Sequence, residues 1–364
     1  MINDFYPGGV EKMVYELASR LSRDKFEISV LAVIGPGEML EDFKKTVPVQ
    51  LAGNVNNYRS LSGRIKWLLL SPIIFLKTLV YISKADPDVV VTSLYHADVL
   101  GIFAARLVGV KQRVIIQHDV HRLSLARRIF KKIFAVNLAT GYVAISSAVE
   151  LFLIDCFNIK KDKIKIIRNG IDVNRFASAR KELDVKNIVV GSVGRLEKEK
   201  GYQIMIEALG ILKDKGLALD TIIVGGGSQQ DFLHREVQEK GVNIEWVGVT
   251  KDPVPFLKKM DVVIIPSIEE GFGLVILEAL ATEKIIIASD LPAIREILRD
   301  GETGVLFQVG NSVELASKLE DLLSNSQHIY KLKKMVSSWL KSNLEEISLE
   351  KTIGGYNNLL LSDN

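Results

Sequence analysis

The chain has 364 residues, of which 48% are apolar and 25% charged, so it is long enough for two globular domains with separate cores. Its formal net charge of +3 is too small for the clustered basic excess of a nucleic-acid-binding protein, and no nucleic-acid partner is expected. Cys156 is the single cysteine, which excludes an intramolecular disulfide and a cysteine-based metal centre. Because no basic region precedes a long apolar stretch at the N-terminus, we expect a cytoplasmic protein.

Short apolar runs rich in β-branched residues alternate with longer helical patterns along the chain. The predicted strands are 28–34, 88–93, 113–117, 142–145 and 164–167 in the first half, and 188–193, 221–224, 244–247, 262–265 and 284–288 in the second. Apolar runs without polar alternation are typical of parallel strands that helices cover on both faces. The pattern therefore predicts an α/β protein with two Rossmann-like, doubly wound domains.

The polar stretch 174–186 interrupts this pattern near mid-chain and is the predicted linker. We accordingly expect an N-terminal domain at 1–172, a C-terminal domain at 173–345 and a terminal helix at 346–364. Ligands bind beyond the carboxyl ends of strands in open parallel sheets, so the chemistry is expected in the loops there.

Two apolar segments of the first half raise the question of membrane contact. Residues 67–82 contain Pro72 and Lys77 and fall short of the roughly 20 residues that span a bilayer, so they predict a buried or interfacial helix. Residues 122–136 form an amphipathic pattern. Its basic face carries Arg127, Arg128, Lys131 and Lys132, and its apolar face carries Leu125, Ile129, Phe130, Ile133 and Phe134. Such a helix either lies on an anionic membrane surface or packs on its own domain, and both interpretations stay open.

The segment Glu270-Gly-Phe-Gly-Leu-Val-Ile-Leu-Glu278 follows a predicted strand and opens a helix. The N–H groups of Leu274 and Val275 and the positive end of the helix dipole suit a phosphate group. Glu270 precedes the helix and Glu278 lies in its second turn, where a carboxylate can accept hydrogen bonds from ribose hydroxyls. The alternative is that both are ordinary solvated glutamates.

Two cations, Arg195 and Lys200, directly follow another predicted strand. A planar guanidinium and a compact ammonium together can hold a diphosphate and stabilise its charge as it departs. The alternative is a solvated charge run, since acidic residues alternate with these cations. The run of glycines from Gly225 also follows a strand, and it is weak evidence for a nucleotide site.

In the first half, Gly8 and Gly9 lead into a predicted helix at 10–21, which offers a second helix N-terminus to a ligand, although a tight turn would use the same residues. His118 ends a predicted strand. The alternatives for His118 are an interior histidine with its hydrogen bonds made, or a metal ligand. The metal role is weakly supported, because His121 is the only other histidine near it at helical spacing. A role at the substrate is favoured.

A series of motifs follows along the chain: Gly8-Gly9, His118, Asn169-Gly-Ile-Asp172, Gly194-Arg195, Lys200-Gly201, Gly225-Gly-Gly and Glu270-Gly-Phe-Gly with Glu278. In these motifs and their order the chain resembles the family-4 retaining glycosyltransferases. The likeness runs over nearly the whole chain, and the Arg–Lys pair followed by the two glutamates is its most specific part. It implies the GT-B fold, in which two Rossmann-like domains face a cleft. The first domain would lie on the acceptor side, the second would bind the nucleotide sugar, and the C-terminal helix would cross back onto the first.

The resemblance also implies roles for individual residues. Arg195 and Lys200 would bind the donor diphosphate, Glu278 the ribose hydroxyls, and Glu270 the transferred sugar. His118 would position that sugar and stabilise positive charge at its anomeric carbon, so the implied catalytic residues are His118, Arg195, Lys200 and Glu270. The remaining implied donor-binding residues are Gly8, Gly9, Gly225, Gly248, Val249, Gly271, Phe272, Gly273, Leu274 and Val275.

The implied reaction moves a hexose from a nucleotide diphosphate sugar to a saccharide or lipid-linked acceptor, with retained configuration and without a metal or other cofactor. A UDP-sugar is favoured over GDP-mannose, and the expected setting is cell-surface polysaccharide or glycolipid synthesis. The location is cytoplasmic, with a peripheral position on the inner face of the plasma membrane as an option through residues 122–136. Alternatives are an epimerase or hydrolase of the same fold, or a non-catalytic nucleotide-sugar-binding protein. Front-face and double-displacement routes to retention both stay open.

One departure from the family concerns the start of the chain. The family begins with a strand that feeds the Gly-Gly loop, whereas only residues 1–6 precede Pro7 here. The sequence therefore predicts that the first strand is missing, and it favours an upstream start codon.

Overall fold

A computed structural model describes residues 1–55, 58, 60–121, 123–177, 180 and 187–361 of the chain. They form two compact units, which we name unit 1 (Met1–Asn169 with the C-terminal residues from Thr352) and unit 2 (Gly170–Lys351). The strand pairs of both units are parallel, and helices connect the strands. The predicted fold class, α/β with parallel Rossmann-like sheets, is confirmed.

The strands of unit 1 are β1 (Val30–Ala32), β2 (Val49–Leu51), β3 (Val89–Ser93), β4 (Gln112–Gln117), β5 (Gly141–Ala144) and β6 (Ile164–Ile166). β1 pairs with β2, and a second sheet has the order β3-β4-β5-β6. Residues 1–3 lie between these sheets: Ile2 N donates to Leu31 O at 3.0 Å, and Ser93 N donates to Met1 O at 3.0 Å. This short segment therefore occupies the place of the strand that the sequence predicted to be missing.

The helices of unit 1 are α1 (Gly9–Arg20), α2 (Leu40–Thr46), α3 (Leu61–Ala85), α4 (Tyr95–Val108), α5 (Leu125–Phe134) and α6 (Ser147–Phe157). Serine caps begin two of them. The Ser60 hydroxyl accepts from Gly63 N at 3.0 Å, and the Ser146 hydroxyl accepts from Val149 N at 3.1 Å. α3 continues through Pro72 and contains the whole apolar stretch 67–82.

The strands of unit 2 are β7 (Val189–Val193), β8 (Asp220–Val224), β9 (Ile244–Gly248), β10 (Val262–Ile265), β11 (Ile285–Ser289) and β12 (Val305–Phe307). They form one sheet in the order β12-β11-β10-β7-β8-β9. The chain order reverses between β7 and β10. Such a topological switch point is where ligands bind in open α/β sheets, and it directs attention to the loops after these two strands.

The remaining helices are α7 (Val173–Ala177), α8 (Tyr202–Asp214), α9 (Gln230–Lys240), α10 (Val254–Lys259), α11 (Leu274–Ala281), α12 (Pro292–Arg295), α13 (Ser312–Ser324), α14 (Ser326–Asn343) and α15 (Leu349–Leu361). The first residues of the predicted linker 174–186 form most of α7, and residues 178–179 and 181–186 lie outside the described part of the chain. From Thr352 onward α15 belongs to unit 1, where the Thr352 hydroxyl donates to Arg168 O at 2.8 Å.

The structure shows the orientation of α5 within residues 122–136, of which Arg122 lies outside the described residues. Leu125, Ile129 and Ile133 are 62%, 49% and 51% exposed, whereas Lys131 is 4% exposed. The helix packs on unit 1 through Lys131 and Phe134, whose ring meets that of Phe103 in α4, while Leu125, Ile129 and Ile133 of its apolar face stay exposed. The physical reason is that the Lys131 ammonium pairs with the buried carboxylate of Asp98, 2.8 Å away.

Candidate active site

The loops after β7 and β10 are fixed against each other by backbone contacts. Glu199 O in the β7 loop accepts hydrogen bonds from Ile268 N at 2.8 Å and from Glu269 N at 3.3 Å in the β10 loop. Gly201 has a φ of +66°, and a Cβ at this position would lie 2.0 Å from Pro266 O. Only glycine allows this approach, so the two loops at the switch point form one rigid surface.

Lys200 and Glu270, two of the residues implied in catalysis, form an ion pair on this surface. The Lys200 Nζ lies 2.7 Å from Glu270 Oε2, and the two side chains are 24% and 12% exposed. The Ser267 hydroxyl donates to the same carboxylate oxygen at 3.2 Å. Because both groups are largely shielded from solvent, their attraction is screened less than that of a surface pair. The pair fixes the direction in which the ammonium points.

Arg195 has a different partner. Its guanidinium lies 3.2 Å from Glu199 Oε1, and the two side chains are 45% and 35% exposed. Exposed pairs of this type contribute only about 0–1 kcal/mol, so an anionic ligand can take the place of Glu199 at low cost. Arg195 and Lys200 thus lie on the same loop, each held by its own carboxylate.

The β10 loop ends at the N-terminus of α11. Gly273, with a φ of +92°, is the N-cap and supplies no side-chain acceptor to the amides of the first turn. Gly271 and Phe272 are buried beside it, and Leu274 and Val275 are half-buried. The first amides of this helix and its dipole suit a negatively charged group. Glu278 is half-buried in the second turn of the same helix.

The glycine run after β8 packs against the β7 loop. Gly225 has a φ of +144°, and a Cβ there would lie 1.8 Å from Gly194 O. Leu196 N donates to Gly226 O at 3.0 Å, and Gly225 N donates to Gly248 O, at the end of β9, at 2.9 Å. The neighbouring Val249 is 58% exposed. These glycines therefore have a packing role that joins the ends of β7, β8 and β9.

In unit 1, His118 follows β4 and is half-buried, with its Nε2 3.2 Å from the Ser93 hydroxyl at the end of β3. Burial and the nearby Lys131 ammonium lower the pKa of His118 from 6.5 to about 3, so the imidazole is neutral at physiological pH. Gly8 is the extended N-cap of α1, and Gly9 is the first residue of that helix.

A buried polar network that the sequence did not predict surrounds the His118 loop. Lys131 Nζ donates to Gln117 Oε1 at 3.0 Å and pairs with Asp98, while the Thr92 hydroxyl donates to Asp98 Oδ1 at 2.7 Å. Gln117 directly precedes His118, so this network holds the end of β4. The available signal was Asp98 itself, an acidic residue in the first turn of a mostly apolar helix.

The charged groups at the switch point of unit 2 include the cations Arg195 and Lys200, the N-terminus of α11 and the carboxylates of Glu270 and Glu278. Cations and backbone amides can bind a diphosphate, and the carboxylates can accept hydrogen bonds from sugar hydroxyls. Within the described part of the chain, no three His, Cys, Asp or Glu side chains come together as a group that could hold a metal ion.

Comparison with known proteins gives two adjoining family matches. Residues 7–175 match the family described as Glycosyltransferase Family 4, and residues 173–338 match Glycosyl transferases group 1. The Staphylococcus aureus capsular polysaccharide biosynthesis glycosyltransferase CapM is 27% identical over 272 residues, which cover 69% of this chain and 71% of CapM. The phosphatidyl-myo-inositol mannosyltransferase of Mycolicibacterium smegmatis is 28% identical over 334 residues, 88% of this chain and 82% of the relative.

Among solved structures, Anabaena HepE in complex with UDP and glucose has a similar fold, with a TM-score of 0.81 and 22% identity. The match covers 100% of this chain and 99% of that one. The family matches together span nearly the whole described chain, and they agree with the parallel sheets and the loops at the switch point. The chain belongs to the group 1, family-4 glycosyltransferases of GT-B fold and is a glycosyltransferase.

Proposed function

We propose that the protein transfers a hexose from a nucleotide diphosphate sugar to a saccharide or lipid-linked acceptor, with retention of configuration at the anomeric carbon and without a metal ion. The observation that carries the proposal is the Lys200–Glu270 ion pair, 2.7 Å long, which joins the β7 loop to the loop that leads into α11 at the switch point of unit 2. This arrangement combines a cation, a sugar-binding carboxylate and a helix N-terminus in one place.

The diphosphate is the first group that this surface suits. Arg195 and Lys200 supply two positive charges, and the amides at the start of α11 supply further donors. As the bond to the sugar breaks, negative charge grows on the leaving diphosphate, and these preorganised groups stabilise it. In this proposal they take the part that a divalent ion has in other transferases.

The sugar and the nucleoside contact the remaining residues. Glu270, oriented by Lys200 and Ser267, accepts hydrogen bonds from hydroxyls of the transferred hexose, and Glu278 binds the ribose. Gly248 and the exposed Val249 lie at the end of β9, where an apolar side chain can cover the base. A neutral His118 offers a lone pair that stabilises positive charge at the anomeric carbon.

The choice of substrates rests on the relatives. HepE was solved with UDP and glucose, which makes a UDP-sugar the first donor to test, ahead of GDP-mannose. CapM is named for capsular polysaccharide synthesis, and the mannosyltransferase is named for a phosphatidylinositol lipid. These names support a role in cell-surface polysaccharide or glycolipid synthesis, and we propose that the reaction takes place on the cytoplasmic side of the membrane.

The test is a transfer assay with UDP-glucose, UDP-N-acetylglucosamine and GDP-mannose, run with a chelator and with saccharide and lipid-linked acceptors. We expect an axially linked product from an axially linked donor, as judged by the anomeric NMR coupling. Lys200→Ala should lower kcat by about 100-fold, because it removes one stabilising group from the leaving diphosphate.

Lys198→Ala is the matched control, since this exposed lysine lies in the same turn, and its activity should stay unchanged. An inverted product, or activity that chelation abolishes, would contradict the retaining or metal-free part of the proposal. Epimerised or free sugar in place of transfer would identify the alternative enzymes.

A further inference from the structure

Helix α3 presents a row of large apolar side chains to solvent. Each of the following is 52–76% exposed: Leu61, Ile65, Leu68, Leu69, Ile73 and Leu76. Soluble monomers rarely expose contiguous apolar surface on this scale unless a partner or a membrane covers it.

The opposite face of α3 is built into unit 1. Ile74, Thr78 and Ile82, four residues apart and therefore on one side of the helix, are 2%, 0% and 2% exposed. By length and mean hydropathy, 1.7, α3 would reach across a membrane, but this packed side keeps it lying along the surface of its domain. Its apolar row is thus one face of a surface helix.

Helix α5 extends the same surface. Leu125, Ile129 and Ile133 point outward because the buried Lys131–Asp98 pair holds the other side of the helix inward. Aromatic rings connect the two helices through α4: Phe75 stacks on Phe103 at 5.2 Å between centroids, and Phe103 meets Phe134 at 5.2 Å. We name the exposed apolar side chains of α3 and α5 together the α3–α5 face.

The charges around the α3–α5 face have a single sign. The sequences of α3 and α5 contain no aspartate or glutamate. Arg64, Lys66 and Lys77 of α3 and Arg127 and Arg128 of α5 are exposed. Two helices whose own charged residues are all cations, beside exposed apolar side chains, complement an anionic bilayer, which offers acyl chains to the apolar side chains and phosphates to the cations.

We infer that the α3–α5 face docks unit 1 on an anionic lipid bilayer, with both helices lying in the interface and the buried Lys131–Asp98 pair turning the apolar side of α5 toward the lipid. The inference goes beyond the proposed reaction, because it concerns a surface and depends on neither the donor nor the acceptor.

The experiment is vesicle co-sedimentation of the full chain at low salt. One vesicle contains phosphatidylcholine and phosphatidylglycerol in equal parts, and the other contains phosphatidylcholine alone. The wild type should sediment with the anionic vesicle, and high salt should weaken this binding. Leu68→Glu/Leu69→Glu in α3 and Ile129→Glu/Ile133→Glu in α5 should each reduce binding by more than about tenfold, since they bring charge into the acyl region.

A charge variant and a matched control accompany these changes. Lys66→Gln/Arg128→Gln should weaken binding by about fivefold for each cation removed. Val313→Glu is the control: Val313 is 65% exposed on α13 of unit 2, and its replacement should leave binding unchanged. The far-UV spectrum and the UDP-induced thermal shift of every variant report whether it is folded and whether unit 2 still binds nucleotide, independently of lipid.

Two results would overturn the inference. One is a wild type that stays in the supernatant with both vesicles. If light scattering then gives a dimer that Leu68→Glu/Leu69→Glu converts to a monomer, a second copy of the chain covers the face. The other is vesicle binding that both apolar variants leave unchanged. Loss of the UDP shift with intact vesicle binding would contradict the proposed donor site and leave the docking face standing.

Discussion

At the scale of single residues, the loops after β7 and β10 depend on a glycine that lets two backbone segments approach each other closely. Gly201 and Gly216 both have positive φ, +66° and +85°, but only at Gly201 would a Cβ collide with another atom, Pro266 O at 2.0 Å. The two positions therefore separate the cost of the backbone conformation from the cost of the collision.

We predict that Gly216→Ala lowers the free energy of unfolding by about 1 kcal/mol, the cost of a left-handed alanine. Gly201→Ala should lower it by at least about 3 kcal/mol, because the β7 and β10 loops must also move apart. Urea unfolding measures the difference, and UDP titration calorimetry should give weaker binding for Gly201→Ala only. Equal effects of the two substitutions on stability and binding would mean that the loops are not locked at Gly201.

His96 provides a pH-dependent contribution to the stability of unit 1. It is 7% exposed, its Nε2 lies 2.8 Å from the Tyr58 hydroxyl, and burial and the Arg127 charge lower its pKa from 6.5 to about 3. The fold thus favours the neutral ring. As the pH falls below 6.5, the unfolded chain takes up a proton that the folded chain refuses, so stability is lost downward from pH 6.5 toward pH 3.

Between pH 6.5 and pH 5 this effect should remove about 2 kcal/mol from the free energy of unfolding. The glutamine amide of His96→Gln can still form a hydrogen bond with the Tyr58 hydroxyl but does not titrate. Its free energy of unfolding should therefore fall by about 2 kcal/mol less than that of the wild type between pH 6.5 and pH 5. Trp67, whose ring centroid lies 4.5 Å from that of His96, is a local fluorescent probe in a chain with its other two tryptophans replaced by phenylalanine. Identical pH slopes in both proteins would rule out His96 as the source.

At the scale of elements, one buried ion pair sets the orientation of α5. Lys131→Met leaves the Asp98 carboxylate, 1% exposed, without its ammonium, and we expect a loss of about 3–5 kcal/mol in the free energy of unfolding. Lys131→Met/Asp98→Asn removes both charges and should recover most of this loss. Chemical denaturation of the two variants tests the prediction, with Lys132→Met as the neighbouring control. A double variant as unstable as the single one would show that packing, rather than the ion pair, is decisive.

The sequence predicted most elements and failed where the deciding interaction is distant in the chain. Long β-branched runs such as Val262–Ile265 predicted their strands because burial on both faces demands such residues. The three-residue strands β2 and β12 were missed, since a run that short has no period. The orientation of α5 was not predictable from its own pattern, because it depends on a carboxylate in α4.

At the scale of the whole molecule, each unit has its own parallel strands and core, and the chain order of unit 2 reverses beside the loops that carry Arg195, Lys200 and Glu270. Local spacing left Glu270, Arg195 and Lys200 open between a ligand site and ordinary solvated charges, and their roles were implied by the resemblance to the family. The network behind His118 required the fold, because Gln117, Lys131 and Asp98 come from different elements of the chain. The Lys200–Glu270 pair also joins loops from two strands, whereas Ser267 and Glu199 lie on the same loops as Glu270 and Arg195.

This division of residues predicts where a nucleotide stabilises the molecule. Apart from Gly8, Gly9 and His118, the proposed donor residues lie in unit 2, so UDP without a sugar should stabilise unit 2 directly, by about 2.7 kcal/mol at 100 times its Kd. Single-tryptophan chains report the units separately, with Trp246 in unit 2 and Trp67 in unit 1. In urea unfolding, UDP should raise the midpoint of the Trp246 fluorescence transition more than that of the Trp67 transition. Glu278→Gln should reduce the increase at Trp246, because the ribose hydroxyls lose their carboxylate acceptor. A larger UDP effect at Trp67 would move the nucleotide site to unit 1 and contradict the assignment of Arg195, Lys200 and Glu278 together.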